Sequence, residues 1–364
     1  MKPEGDRIDA PGRGLTALYN VPAPAKINWF LHVLGRRADG YHELQTVFQF
    51  IDWCDWLDFE RNETGAITRV GGEGLPGDDL TVRAAQLLQR RSGSHFGARI
   101  HLRKSIPLQA GLGGGSSDAA STLLALNRLW GLGLARPALQ HLALELGADV
   151  PVFIFGRNAF AQGVGEELTA VDLPTWPMLV TWPGYGLSTA AIFASDALTR
   201  NTAAISVSRF TEFVRLARAG NPQAGITQAH EAPMDEATPA ASLGAQAVID
   251  AMPVLRQDHS LGTGLGLDFG RNDLQAVAHA MLPQLTQAES WLLGQTGSGL
   301  VRMSGSGSAL FSPCKPGLEA SLSPASRGWR VRQCRAFSRH PLADWAADVC
   351  AVAGAAEAGR CGAE

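Results

Sequence analysis

Pro107-Leu108-Gln109-Ala110-Gly111-Leu112-Gly113-Gly114-Gly115-Ser116-Ser117-Asp118-Ala119-Ala120 decides how the rest of the chain is read. Before it, Ala98–Ser105 alternates apolar and polar residues, the period-two sign of a half-exposed strand. After it, Leu123, Leu124, Leu126, Leu129 and Trp130 fit the buried stripe of a helix. Ser116, Ser117 and Asp118 stand at the junction, where N-cap residues belong. The pattern predicts a strand, a glycine-rich loop and a helix N-terminus. Gly111, Gly113, Gly114 and Gly115 allow torsions that a Cβ forbids and let a ligand approach the main chain. The first turn of the following helix carries free N–H groups and a partial positive charge. Together they make a phosphate site.

The loop is neither of two familiar phosphate binders. A Walker A loop ends in Gly-Lys-Ser/Thr, and here Gly115 is followed by Ser116. In a Gly-x-Gly-x-x-Gly fingerprint begun at Gly111 and Gly113, the third glycine would fall on Ser116. A plain flexible connection with a serine cap is the weaker reading, because consecutive glycines are an entropically costly way to build one.

The chain has 364 residues, enough for two domains at roughly 100–200 residues each. Its 45% hydrophobic and 18% charged content suits a globular core. A formal net charge of −3 argues against a general nucleic-acid binder. Cys54, Cys314, Cys334, Cys350 and Cys361 form no Cys-x-x-Cys pair, and the histidines show no ligand spacing, so no protein metal site is expected. No signal segment and no apolar run of about 18 residues is evident, so the expected setting is cytoplasmic.

Met1–Asn20 reads as a loose polar arm, with folding expected to start near Val21. Pro24–Leu34 reads as a strand with Lys26, Asn28 and Phe30 on one face. A Lys and an Asn on an apolar strand call for a polar partner; an edge strand with a solvated lysine satisfies the pattern equally well. Gly35–Gly40 is a turn before a second strand, Leu44–Ile51. Tyr41 and His42 at its end could stack on a flat ring and bond its edge. A helix is expected from Asp79-Leu80 and another over Pro137–Leu146, closed by Gly147. Asp149 would then lie between that helix and a strand in the apolar run Val150–Phe155. A domain boundary is expected near Val171–Pro177, then a strand at Met178–Trp182. Residues 194–270 read as a variable helical region. Two helices follow Asn272-Asp273-Leu274, then a Gly-Ser loop in Val301–Phe311 and a late strand in Arg327–Ala336. The Ala- and Gly-rich end reads as a dispensable tail.

The Pro107–Ser117 motif resembles the central loop of the kinase superfamily named for galactokinase, homoserine, mevalonate and phosphomevalonate kinases. Pro24-Ala25-Lys26-Ile27-Asn28, with Gly35-Arg36-Arg37-Ala38-Asp39-Gly40-Tyr41-His42-Glu43-Leu44, is similar to one branch of it. That branch serves the methylerythritol phosphate route to isoprenoids and phosphorylates the 2-hydroxyl of a cytidine diphosphate-linked methylerythritol.

The resemblance implies a two-domain α+β fold with the site in the cleft between domains 21–172 and 173–340, an arm at 1–20 and a tail at 341–364. ATP would be co-substrate, accompanied by Mg²⁺. Pro107, Leu108, Gln109, Ala110, Gly111, Leu112, Gly113, Gly114, Gly115, Ser116, Ser117 and Lys104 would hold the nucleotide. Asp149 would be the general base and Lys26 its partner. Asn28, Tyr41, His42, Thr189 and Phe193 would contact the substrate, with Tyr41 and Phe193 sandwiching the cytosine and His42 reading its edge. Asp79 stands where relatives carry an Asn near the adenosine, and a carboxylate only accepts hydrogen bonds. Two other readings stay open at this point: a mevalonate- or homoserine-type kinase, and a catalytically silent nucleotide-responsive regulator.

Overall fold

The computed structural model describes residues 15–218, 269–318 and 328–348. Its spine is an antiparallel ribbon of β1 (Ala17–Arg36) and β2 (His42–Asn62). The turn between them closes where Tyr41 N donates to Asp39 Oδ1 at 3.1 Å, an Asx turn, with Gly40 at φ 87°. β1 begins at Ala17 rather than near Val21, and β2 runs past Ile51 to Asn62. The β-branched and aromatic content of Thr46–Trp56 suits a pleated surface packed on both sides. Register shifts interrupt the ribbon at four places, one of them between Asn28 and Leu31. Such bulges bend a strand and re-aim its side chains. Strict alternation along β1 is lost accordingly: Lys26, Ile27, Asn28, Trp29 and Phe30 are all buried.

β2 carries different partners along its other edge. Thr46–Phe48 pairs with β5 (Ala159–Gln162), and Trp56–Asn62 pairs with β4 (Gly97–Arg103). β3 (Ile67–Gly71) lies parallel to β4, and β6 (Glu167–Ala170) joins β5 across the turn at Gly163–Glu166. α1 (Leu80–Ser92), α2 (Gly114–Leu129), α3 (Arg136–Leu146) and α4 (Val150–Phe155) share a core with this sheet. Ala119, Ala120, Leu123, Leu124, Ala125 and Leu126 are all buried, so α2 is the central helix of the layer.

Two local expectations are corrected. The N-cap of α2 is Gly113, left-handed at φ 71°; Ser116 and Ser117 lie inside the first turn, and no side chain caps it. A glycine supplies that entry angle where serine would be strained. Val150–Phe155 is a helix rather than a strand: Pro151 sits in its first turn and Gly156 ends it at φ 75°. A six-residue apolar run does not separate the two by periodicity.

The second sheet is antiparallel in the order β10 (Arg330–Arg335), β7 (Pro177–Trp182), β9 (Leu310–Pro313), β8 (Arg302–Met303). α5 (Thr189–Ala194) and α6 (Val207–Arg218) follow β7. α7 (Gln275–Met281) and α8 (Gln284–Thr296) pack on its face through Val277, Leu285 and Leu292. A further core ties β1 to this sheet: Ile27 and Trp29 pack in one cluster with Met178, Val180 and Phe311. Most of 219–270 lies outside the described residues.

Residues 341–348 are no loose tail. Leu342 and Ala346 are buried in the core of the first sheet. Arg136 donates to Ala343 O at 2.6 Å and Ala346 O at 2.7 Å. Cys54, Cys314 and Cys334 are free and buried, and burial pushes the Cys54 thiol up to about 12. Among the described residues no helix is long and apolar enough to cross a membrane.

Candidate active site

Lys26 is buried in mid-β1, and its Nζ donates to Asn28 Oδ1 at 2.8 Å. Asn28 Nδ2 passes the chain on to Thr46 Oγ1 at 2.8 Å, whose hydroxyl donates to Phe30 O. The bulge after Asn28 lets β1 and β2 close this network internally. A solvated edge lysine is therefore excluded. On its remaining side Lys26 Nζ stands 3.4 Å from Asp149 Oδ2. Asp149 sits at the N-terminal end of α4, between the end of α3 and the first turn of α4.

The glycine loop lies against this pair. Lys26 N donates to Leu112 O at 2.9 Å. A Cβ on Gly113 would come within 3.0 Å of Lys26 Cγ and 3.1 Å of Phe153 Cζ. A second glycine loop, Ser304–Ser308, closes over the first. Ser304 Oγ donates to Gly111 O at 2.9 Å, and a Cβ on Gly111 would meet Ser304 O at 2.0 Å. Asn272 fixes the second loop by donating to Met303 O and Gly305 O, both at 2.8 Å. Only glycine permits two backbones to approach this closely. The free N–H groups of the first turn of α2 thus lie beside Lys26 and Asp149, an arrangement suited to an anion and a proton acceptor together.

Lys104 stands beneath the loop. Its ammonium pairs with Asp55 and, at 2.8 Å, with Asp118 Oδ2. Burial works against its charge, yet the two carboxylates hold it above its ordinary value. Asp79 caps α1, accepting from Thr81 N at 2.7 Å, and pairs with Arg69. Its oxygens are thus turned to the protein.

At the start of β2, His42 stacks on Phe193 of α5, ring centroids 4.9 Å apart and planes 29° apart. Arg200 Nε donates to His42 Nε2 at 3.2 Å, and its other nitrogens donate to Phe193 O, Ser195 O and Leu198 O. The neutral ring therefore carries its proton on Nδ1. Burial, then the charges of Arg200 and Arg36, push His42 below the usual imidazole range. Tyr41 is 66% exposed. A cavity of about 440 Å³ is lined by Arg36, Phe193, Ala194, Asp196 and Arg200. Thr189 Oγ1 meets Ser306 Oγ at 2.7 Å and links α5 to the second glycine loop.

The structure thus gathers Lys26, Asn28, Asp149 and the loop into one place, and His42 with Phe193 into another. Tyr41 and Phe193 are not paired in it: Phe193 stacks on His42. Sequence reasoning missed Thr46, Asn272, Asp55 and Arg200, while the motif Val301–Phe311, which holds Ser304, resembles a family glycine loop near the active site. Asn272 lay in a segment read only as a helix start, and Arg200 carries no local signal.

The GHMP kinases N terminal domain family matches residues 79–157. The chain is similar to 4-diphosphocytidyl-2-C-methyl-D-erythritol kinases of curated relatives. It is 45% identical to that of Verminephrobacter eiseniae over 92% of this chain and 99% of the relative. It is 46% identical to that of Methylibium petroleiphilum over 91% and 99%. A crystal structure of 4-(cytidine 5'-diphospho)-2C-methyl-D-erythritol kinase superposes with a TM-score of 0.60 at 32% identity, over 86% of this chain and 98% of that one. A mevalonate kinase structure shares the fold at 12% identity, with a TM-score of 0.53 over 88% and 98%.

Proposed function

The chain belongs to the 4-diphosphocytidyl-2-C-methyl-D-erythritol kinases, within the GHMP kinases, and from that premise we infer what its residues do. The reaction moves the γ-phosphoryl group of ATP to the 2-hydroxyl of 4-diphosphocytidyl-2-C-methyl-D-erythritol, giving the 2-phosphate and ADP. Phosphoryl transfer depends mainly on positioning and on stabilising charge. Main-chain N–H groups within 108–117 hold the triphosphate at the start of α2. Asp149 takes the proton from the 2-hydroxyl as its oxygen attacks the γ-phosphorus and the bond to the β-phosphate oxygen breaks. Lys26 lies 3.4 Å from Asp149 Oδ2 and faces the developing charge on the attacking oxygen.

The base lies against the Phe193–His42 stack, whose Nδ1–H faces the acceptor atoms of cytosine. Arg36 and Arg200 line the adjoining cavity and offer charge to the substrate diphosphate. Asn28 and Thr189 border the path between base and reacting hydroxyl. Tyr41, exposed on the turn, is the side chain free to close over the outer face of the ring.

Mg²⁺ accompanies ATP in such transfers and neutralises phosphate charge. Among the described residues no group of three His, Cys, Asp or Glu could hold a metal. Asp55 and Asp118, the carboxylates beneath the loop, both pair with Lys104. On this reading phosphate oxygens and water would supply most of the ion's coordination.

The observation that carries this reading is the 3.4 Å Lys26–Asp149 pair beside the loop. Its test is a coupled ADP-release assay with the cytidyl substrate, mevalonate and homoserine in parallel. Turnover with the cytidyl substrate alone is expected; preference for either other alcohol overturns the substrate, and no turnover with any overturns the chemistry.

A further inference from the structure

The two ends of the glycine loop are joined by a buried cluster of one ammonium and two carboxylates. Asp55 on β2 accepts Ser105 N and Ile106 N, the latter at 2.8 Å, and pairs with Lys104. These three residues are the chain's exit from β4 into the loop. Lys104 Nζ reaches across to Asp118 Oδ2 at 2.8 Å, in the opening turns of α2, where the loop ends. The ammonium also lies against the loop: a Cβ on Gly114 would come within 3.3 Å of it. Asp118 Oδ1, by contrast, is buried without a hydrogen-bond partner.

We propose that Asp55, Lys104 and Asp118 form a positioning device for the nucleotide: they staple the loop in its anion-ready shape, and their net charge sets its affinity for the triphosphate. The proposal rests on reading the loop as the ATP site. A run of glycines has a large conformational entropy, and ordering it in advance removes that cost from the binding step. With Asp118 ionised, two carboxylates face one ammonium and leave a negative charge under the first turn of α2. With Asp118 protonated the cluster is neutral. Burial lifts the Asp118 carboxyl to about 7, against the opposing pull of Lys104 and with a smaller push from Asp55. Lys104, which follows β4, and Asp55 of β2 are the charged groups that face it. An incoming triphosphate favours the protonated, neutral cluster, so binding weakens as pH rises through that range.

The test is calorimetric binding of a non-hydrolysable ATP analogue to the wild type, Asp118→Asn and Asp118→Ala between pH 6 and 8.5, with a melting curve for each. Asparagine keeps the shape and an acceptor for Lys104 but removes the titration; alanine removes the staple. The wild type is expected to lose up to about tenfold in affinity across the range relative to Asp118→Asn. Asp118→Ala is expected to bind about tenfold more weakly than Asp118→Asn at every pH. Identical pH profiles for the wild type and Asp118→Asn would overturn the charge role, and wild-type affinity in a folded Asp118→Ala would overturn the staple. Should Asp118→Ala not fold, Asp118→Ser, whose shorter side chain also fails to reach Lys104, takes its place, and wild-type affinity in it overturns the staple. If the wild type itself does not bind the analogue, the nucleotide reading falls, and this one with it.

Discussion

Lys26 Nζ faces Asp149 Oδ2 at 3.4 Å, with the lysine side chain 3% and the aspartate 41% exposed. The asymmetry suits the two roles. A buried ammonium needs fixed partners, and Asn28 provides one at 2.8 Å. A half-open carboxylate can reach a hydroxyl that arrives from solvent.

Asp149→Asn tests the proposed base, keeping the size of the side chain and removing its charge. Loss of a positioned general base lowers turnover by roughly 10²–10⁴. The expected result is that fall in kcat with unchanged affinity for an ATP analogue, read by steady-state kinetics and calorimetry. A kcat close to wild type would remove Asp149 from the role.

Lys26→Met and Lys26→Arg separate charge from shape. Methionine fills the space without the cation, and Asp149, 41% exposed, stays open to water when its partner is removed. Arginine keeps the charge, but the glycines are set against the lysine: Cβ atoms on Gly113 and Gly305 would lie 3.0 Å from its Cγ and 3.2 Å from its Nζ. Both variants are expected to lose about 10²-fold or more in kcat. Recovery of turnover by the arginine variant would show that the charge matters and the fit does not.

Gly111→Ala and Gly115→Ala divide the loop's glycines by job. At Gly111, φ is 73° and a Cβ would lie 2.0 Å from Ser304 O and 2.8 Å from Gly307 N. That substitution is expected to cost about 2 kcal/mol or more of stability in urea unfolding. At Gly115, an exposed residue of the first turns of α2, the nearest heavy atom to a Cβ is Leu80 Cδ1 at 3.6 Å. Gly115→Ala should fold at least as well as wild type and raise the KM for ATP instead. Destabilisation of both to the same extent would contradict the division.

If His42 reads the cytosine as proposed, substrate binding should depend on pH. Burial and two arginines hold its pKa below the ordinary 6.5, so the ring is neutral at pH 7. Protonation would place a hydrogen on Nε2, where Arg200 now donates. The KM for the cytidyl substrate is therefore expected to stay flat from pH 8 to 6.5 and to rise only at lower pH. In Arg200→Met the rise should begin at higher pH. Coincident profiles would disconnect Arg200 from the ring. Phe193→Ala should weaken substrate binding by about 1–3 kcal/mol, the worth of a base stack.

What was legible in the chain was local or motif-borne. The strand before Ser105, the loop and α2 follow from periodicity and a glycine run. Lys26, Asn28 and Asp149 were named because their flanking residues resemble a known signature, not because their spacing revealed that they meet. Cap geometry escaped because Gly113 took a role that composition assigns to serine. α4 escaped because a short apolar run fits either a strand or a helix. The Lys104–Asp55–Asp118 cluster and the Arg200–His42 contact join β4 to β2 and α2, and β2 to the residues after α5. No single stretch of sequence carries such cross-element pairings.

Arg136→Met tests the chain end, read from composition as dispensable. The guanidinium donates to Ile154 O at 2.6 Å, at the C-terminal end of α4, as well as to Ala343 O and Ala346 O, and pairs with Asp348 at 2.9 Å. It thus ties residues 343–348 to the far end of the helix that Asp149 precedes. Gly156, which ends α4, leaves room for that segment, since a Cβ there would lie 3.2 Å from Ala343 Cα. Methionine keeps the packing but strands the buried carbonyls, each worth about 1–3 kcal/mol when left without a donor. The expected outcome is a loss of about 2–4 kcal/mol in urea unfolding and a lower kcat at temperatures where the variant is still folded. A stop codon after Ser338 should act in the same direction and cost more, since it also removes Leu342 and Ala346 from the core. A truncated protein with wild-type kcat and stability would mean that α4 holds Asp149 without help from the chain end.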